Sequence, residues 1–232
     1  MRKTELLIPA SSLEVLKIAV MFGADAVYIG GEAFGLRAKA KNFSPNEMKE
    51  GIEFAHEHGV KVYVTANILA HNYDLAGARE YFKELKEMKP DGLIIADPGM
   101  FTLAKEICPE IDVHISTQAN NTNYETYRFW EKLGATRVVS ARELSIKEIK
   151  EIREHISDKM EIETFVHGAM CISYSGRCLL SNYLQAEMQI RAHAHIHVAG
   201  NMLLWKNPVR ENICRFMKMS VEPIFLIPRT YV

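Results

Sequence analysis

Cysteine is scarce in this chain, with four in 232 residues and none in adjacent pairs. That excludes a disulfide framework as the source of stability and leaves metal binding, catalysis or simple burial for the thiols. Net charge is scarce too: 28 basic against 29 acidic residues leave −1. No global basic field advertises nucleic acid, although local patches stay open. No apolar run reaches the length of a membrane span. The run inside M-R-K-T-E-L-L-I-P-A is too short for a signal peptide, so the expectation is a cytoplasmic chain with no membrane contact. G-x-S-x-G, a Walker loop and the G-x-G-x-x-G dinucleotide turn are all missing. His56 and His58 stand in H-E-H-G, not in the H-E-x-x-H of zinc peptidases, and read as helix-end residues. What composition does supply is an ordinary core, with 48% hydrophobic and 25% charged residues.

Strand and helix signals alternate from the start. Apolar, β-branched runs predict strands over 5–8, 26–29, 61–66, 93–96, 113–116, 137–139 and 161–166. Between them, apolar positions at helical spacing predict six helices. Ser11 or Ser12 caps the first, which Gly23 ends. Ser44-Pro45 opens the second with proline at its first position, and Gly59 stops it. Strict alternation means a parallel sheet with helices outside. A doubly wound sheet is possible, but with no dinucleotide turn the better expectation is an α/β, TIM-barrel-like fold. About seven strands are legible, so the barrel is incomplete.

In such a barrel the chemistry sits at the C-terminal strand ends. Those positions hold Gly30-Gly31, Asn67, Asp97, Ser116, Gln118, Asn120, Arg142, Glu143 and His167. Gly30-Gly31 would let backbone N–H groups approach an anion, or simply make a tight turn. Arg37 with Lys39 and Lys41 would hold phosphate or carboxylate, or form a solvated loop. Asp97 precedes Pro98 and suits either a base or a helix cap. Arg142 and Glu143 suit an ion pair that shapes the site, or simply a loop pair. Cys108, at a helix end, reads as buried and inert.

The most informative stretch is 165–183, F-V-H-G-A-M-C-I-S-Y-S-G-R-C-L-L-S-N-Y. It places His167, Cys171 and Cys178 within a dozen residues. His167 beside Cys171 suits an activated thiolate. Cys171 and Cys178 equally suit two ligands of a metal or an iron–sulfur cluster.

These residues carry a resemblance. The stretch 163–183, together with E-L-L-I-P-A, G-A-D-A-V-Y-I-G-G, I-A-D-P-G, H-I-S-T-Q-A-N and S-A-R-E-L-S, is similar to peptidase family U32, the collagenase-like proteases. The similarity covers a domain of residues 1–184 and is greatest to the branch linked to tRNA wobble-uridine hydroxylation. It implies a barrel-like fold, a 4Fe-4S cluster on four cysteines, prephenate as a partner metabolite, tRNA as substrate and a partner subunit of the same family. Cys171 and Cys178 would be the first two cluster ligands; His167, Asp97, Arg142, Glu143, Gln118 and Asn67 would line the site. The family's older label implies instead a peptidase acting on peptide or collagen, with Cys171 as nucleophile and His167 as base. A third reading is an inactive, truncated fragment.

The tail departs from the family. The resemblance implies two more cysteines after Tyr183, in a stretch like T-G-R-D-x-N-x-G-x-C-x-x-P-C-R-W. Residues 185–232 instead run through alternating His193, His195 and His197. Back-translated and read one base earlier, with third positions free, Gln185 to Gln189 permit T-G-R-D-A. His193-Ala194 and His197-Val198 each give Cys, and Ala199-Gly200 gives Trp. Met217 to Tyr231 permit E-D-E-R-G-T-Y-F-F-N-S-K-D-L-C. The expectation is a single-base loss near Leu184, natural or from sequencing, that leaves 185–232 as a disordered, non-family tail without two of the four cluster ligands.

Overall fold

Short apolar strands that alternate with amphipathic helices curl into an open barrel. The computed structural model describes residues 4–35, 42–167 and 175. All belong to the unit Met1–Ala169 with Ser173–His193; the second unit, Met170–Ile172 with Ala194–Val232, lies outside the described residues. The strands are β1 (Leu7–Pro9), β2 (Ala26–Gly30), β3 (Lys61–Ala66), β4 (Gly92–Ile95), β5 (Asp112–Ile115), β6 (Arg137–Val139) and β7 (Glu161–Glu163). The helices are α1 (Leu13–Met21), α2 (Pro45–Glu57), α3 (Leu75–Met88), α4 (Pro98–Ile107), α5 (Tyr124–Lys132) and α6 (Ile146–His155), with a short 3-10 helix at Thr117–Ala119.

Every strand pairs in parallel with its sequence neighbour, in the order β1 to β7. A doubly wound sheet reverses order at a switch point, so this sequential order settles the architecture as a curled, barrel-like sheet. Among the described residues β1 and β7 form the two open edges. The last strand is shorter than its apolar run suggests. It stops at Glu163, and Phe165 and Val166 beyond it are exposed.

Helix starts follow local chemistry. Ser44 and Glu47, and again Ser145 and Glu148, form reciprocal capping boxes. Ser12, Asp97 and Asn123 cap the helices that follow them. Gly23, Gly59 and Gly134 end helices at positive φ of 92°, 69° and 91°, where a Cβ is disfavoured.

Alternation along the strands produces two cores. One face buries Val27, Val62, Leu93, Val113 and Val138 against the helices. The other face looks into the barrel, where Ala26, Tyr63 and Ile94 pack with Leu7 and Tyr28. Deeper in the same interior lies a charged layer near the strand starts. Arg137, 5% exposed, donates to Glu5 at 2.7 Å, Glu161 at 2.6 Å and Glu163 at 3.4 Å. One guanidinium therefore ties β6 to β7 and to the residue leading into β1. Tyr63 donates to Glu5 at 3.0 Å and lies 4.9 Å beneath the guanidinium. His114 stands edge-on to Tyr63 at 4.5 Å. Gly92 makes that position possible, because a Cβ there would meet the His114 ring at 2.9 Å.

Candidate functional site

The mouth of the barrel is built from residues just past the strand ends. Ser116 follows β5, and its hydroxyl accepts the Gln118 N–H at 3.2 Å, which starts the 3-10 helix. The Asn67 amide, arriving from β3, donates to the same hydroxyl at 3.5 Å. Asn121 is fully buried below; it donates to the Ser116 carbonyl at 3.3 Å and accepts from the Trp130 indole at 3.0 Å. Tyr127 donates to the Ser140 hydroxyl at 3.1 Å, which fixes the end of β6. Ser116, Asn121, Tyr127 and Ser140 thus position the mouth through partnered polar groups, whereas the buried Asn120 Oδ1 has no partner.

Ser175 carries the chief geometric finding. It stands between Cys171 and Cys178 in the sequence and is fully buried. Its N–H donates to Glu143 Oε1 at 2.7 Å. Its hydroxyl accepts from the Arg142 N–H at 3.3 Å and from Arg142 Nε at 3.4 Å. Thr117 donates to the Ser140 carbonyl at 3.1 Å, and its hydroxyl oxygen lies 3.4 Å from that of Ser175. Arg142 and Glu143 both engage Ser175. Burial works to raise the Glu143 carboxyl, but the Ser175 N–H and the Arg142 charge outweigh it and hold it below the usual range.

The other expected residues divide plainly. Asp97 is committed as a helix cap, its Oδ1 accepting the Met100 N–H at 2.9 Å. Asn67 and Gln118 converge on Ser116. His167 lies exposed beyond β7, and no described carboxylate orients it. Arg37, Lys39, Lys41, Cys171 and Cys178 lie outside the described residues. Ser175 and Thr117 were not anticipated. The signal for Ser175 was a small hydroxyl residue midway between the two thiols. The signal for the interior Arg137 layer was charge at alternate positions of otherwise apolar strands.

Among the described residues no group of three or more His, Cys, Asp or Glu side chains could hold a metal ion. Cys108 is sealed under α4, where its thiol donates to the Ala104 carbonyl at 3.3 Å. Burial pushes that thiol up to about 11, so it is no thiolate ligand. Of the four cysteines in the chain, Cys171, Cys178 and Cys214 remain. Those three lie outside the described residues.

A parallel barrel with its polar groups gathered at the strand ends defines a class of (β/α) proteins whose chemistry sits in the mouth. The chain belongs to peptidase family U32, whose profile matches residues 11–193. It is 50% identical over 185 residues to tRNA hydroxylation protein P1 of Bacillus subtilis (strain 168), covering 80% of this chain and 43% of that protein. It is 48% identical over 184 residues to tRNA hydroxylation protein P of Escherichia coli (strain K12), covering 79% and 40%. The 23S rRNA 5-hydroxycytidine C2501 synthase of Escherichia coli is 39% identical over 180 residues, with 78% and 27% covered. The chain therefore spans less than half the length of these relatives. Among solved structures, the U32 peptidase Mk0906 shares the fold at a TM-score of 0.59 with 21% identity, over 71% of this chain and 69% of that one. No described helix is long and apolar enough to cross a membrane.

Proposed function

We propose that this chain is the first barrel portion of a protein that hydroxylates a tRNA uridine in the cytoplasm. The observation that carries the reading is the 50% identity over 185 residues to tRNA hydroxylation protein P1. The mouth supports it. Its described groups are amides, hydroxyls, the Arg142 guanidinium and the Glu143 carboxylate, a set suited to holding a planar polar base edge, with the guanidinium suited to a carboxylate metabolite such as prephenate. A peptidase would need a base oriented towards a nucleophile, and His167 has no such orienting partner among the described residues.

Within this reading Arg142, Glu143 and Thr117 are positioning residues. They fix the backbone at Ser175, between the two thiols, and touch no reacting atom themselves. Asn67, Gln118 and Ser116 form the polar floor on which substrate would be oriented. A 4Fe-4S cluster would supply electron-transfer chemistry to a product that carries all four cysteines. Because this chain does not, it is itself inactive, and restoring one base near codon 184 gives the active form. A subunit of the same family is the expected partner. The test is nucleoside mass spectrometry of tRNA from cells lacking the gene. Loss of hydroxylated uridine supports the assignment. Unchanged tRNA, together with gelatin cleavage that a Cys171→Ala change abolishes, supports a peptidase instead.

A further inference from the structure

The loop between β3 and α3 holds a large aromatic ring bare at the rim of the mouth: Tyr73 is 61% exposed. Its ring lies parallel to that of His71, with 3° between the planes and 5.4 Å between the centroids, an offset stack. The loop leaves β3 at Asn67, whose amide reaches Ser116 on the polar floor, and enters α3 at Leu75. Six residue steps separate Asn67 from Tyr73, so the two stand no more than about 20 Å apart. The turn that carries the pair is locked in both directions. The Asp74 N–H donates to the His71 carbonyl at 2.8 Å, and the His71 N–H donates to Asp74 Oδ2 at 2.9 Å. Asp74 stands at the N-cap of α3 yet makes no side-chain cap there. Further back along the loop, buried Ile68 donates to the Phe34 carbonyl at 3.3 Å. Phe34 holds a positive φ of 61°, which a bulky residue rarely adopts, and its ring packs 5.3 Å from that of Tyr81. Two strand-end loops thus brace each other behind one exposed ring.

We infer that the His71–Tyr73 pair is a stacking platform for an unpaired RNA base that neighbours the reacting nucleotide. The inference rests on the proposed RNA substrate and names a part of its site. Every base has a π face, and tyrosine and histidine are among the rings on which splayed bases stack. Asn67 directly follows β3, whereas Tyr73 lies at the outer end of the loop, two residues before α3 begins. The inner position suits the base that reacts and the outer one suits its neighbour. Charge points the same way. With 28 basic against 29 acidic residues, the chain has no general attraction to phosphate, and contacts that need no charge gain weight. Tyr73 is already stacked on His71, so a base laid on its open face adds a layer without first ordering the ring.

The experiment follows the fluorescence anisotropy of a labelled tRNA anticodon stem-loop titrated with protein. Two proteins are used, the 232-residue chain and the longer product of a coding sequence with one base restored near codon 184. Each is made as the parent, as Tyr73→Ala and as Tyr73→Phe. Tyr73→Ala should weaken binding by about tenfold or more, and Tyr73→Phe, which keeps the ring, should stay within about twofold of the parent. If Tyr73→Ala fails to fold, Tyr73→Leu, which fills much of the same space without a π face, carries the comparison. Tyr73→Ala or Tyr73→Leu binding as tightly as the parent would overturn the inference and leave the RNA substrate standing. A loss in Tyr73→Phe as large as in Tyr73→Ala would overturn it in favour of a contact through the hydroxyl. Weaker binding of a gelatin peptide by Tyr73→Ala, with RNA binding unchanged, would overturn it in favour of a peptide surface. No binding of RNA by the parent at either length would overturn the inference together with the proposed substrate.

Discussion

His114 is the residue whose surroundings depart most from its ordinary chemistry. It is 3% exposed and its Nδ1 has no partner. Burial, reinforced by the Arg137 and Lys61 charges, brings its pKa from 6.5 down to about 3. The folded state holds it neutral while the unfolded chain protonates near 6.5. Its contribution to stability is therefore full above that pH and is lost as pH falls towards about 3. Glu163 acts in the opposite sense. Burial raises its carboxyl, since Arg137 is engaged more closely by Glu5 and Glu161. Urea titrations between pH 7 and 4 should show a steep loss of stability that His114→Gln flattens. A parallel loss in wild type and variant would remove His114 from the explanation. Glu143 makes a second prediction. Glu143→Ala removes the acceptor of the Ser175 N–H and should raise exchange of that amide by about tenfold, whereas Glu143→Gln, which keeps a carbonyl there, should largely retain protection. Acidification through the carboxylate range should loosen the same contact, because the Glu143 carboxyl is held below its usual value and its contribution is lost on protonation. Amide hydrogen exchange at Ser175 reads both effects.

At the scale of elements, Arg137 joins β6, β7 and the lead into β1 through three carboxylates. Removing it leaves Glu5 and Glu163 half-buried without their cation. Arg137→Ala should cost about 3 kcal/mol, toward the low end for a broken buried pair because Glu161 is half-exposed. Denaturant unfolding measures this, and a loss under about 1 kcal/mol would show that the layer contributes little. The elements were also where the sequence spoke most clearly. The spans of β3, α3 and β6 coincide with their apolar patterns, and Ser12, Ser44 and Asp97 cap where short polar residues precede helical periodicity. The seventh strand was legible in position but not in length. Its apolar run continues to Val166, yet pairing with β6 ends at Glu163, because strand length depends on a partner that periodicity cannot see.

At the scale of the molecule, alternation predicted a barrel-like sheet and the sequential strand order bears it out. The location of the site was legible because parallel barrels place polar residues at strand ends. Its wiring was not. Which group Glu143 would hold depends on a chain return of 32 residues to Ser175, and no local pattern encodes such a contact. The proposed function requires that the gene, with its frame restored, hydroxylates tRNA and that the 232-residue chain does not. Nucleoside mass spectrometry of tRNA from a deletion strain, complemented with either coding sequence, tests both halves at once. Hydroxylated uridine should return with the base-restored form and stay absent with the 232-residue form. Its full return with the 232-residue chain, or its persistence in the deletion strain with neither form, would refute the proposal.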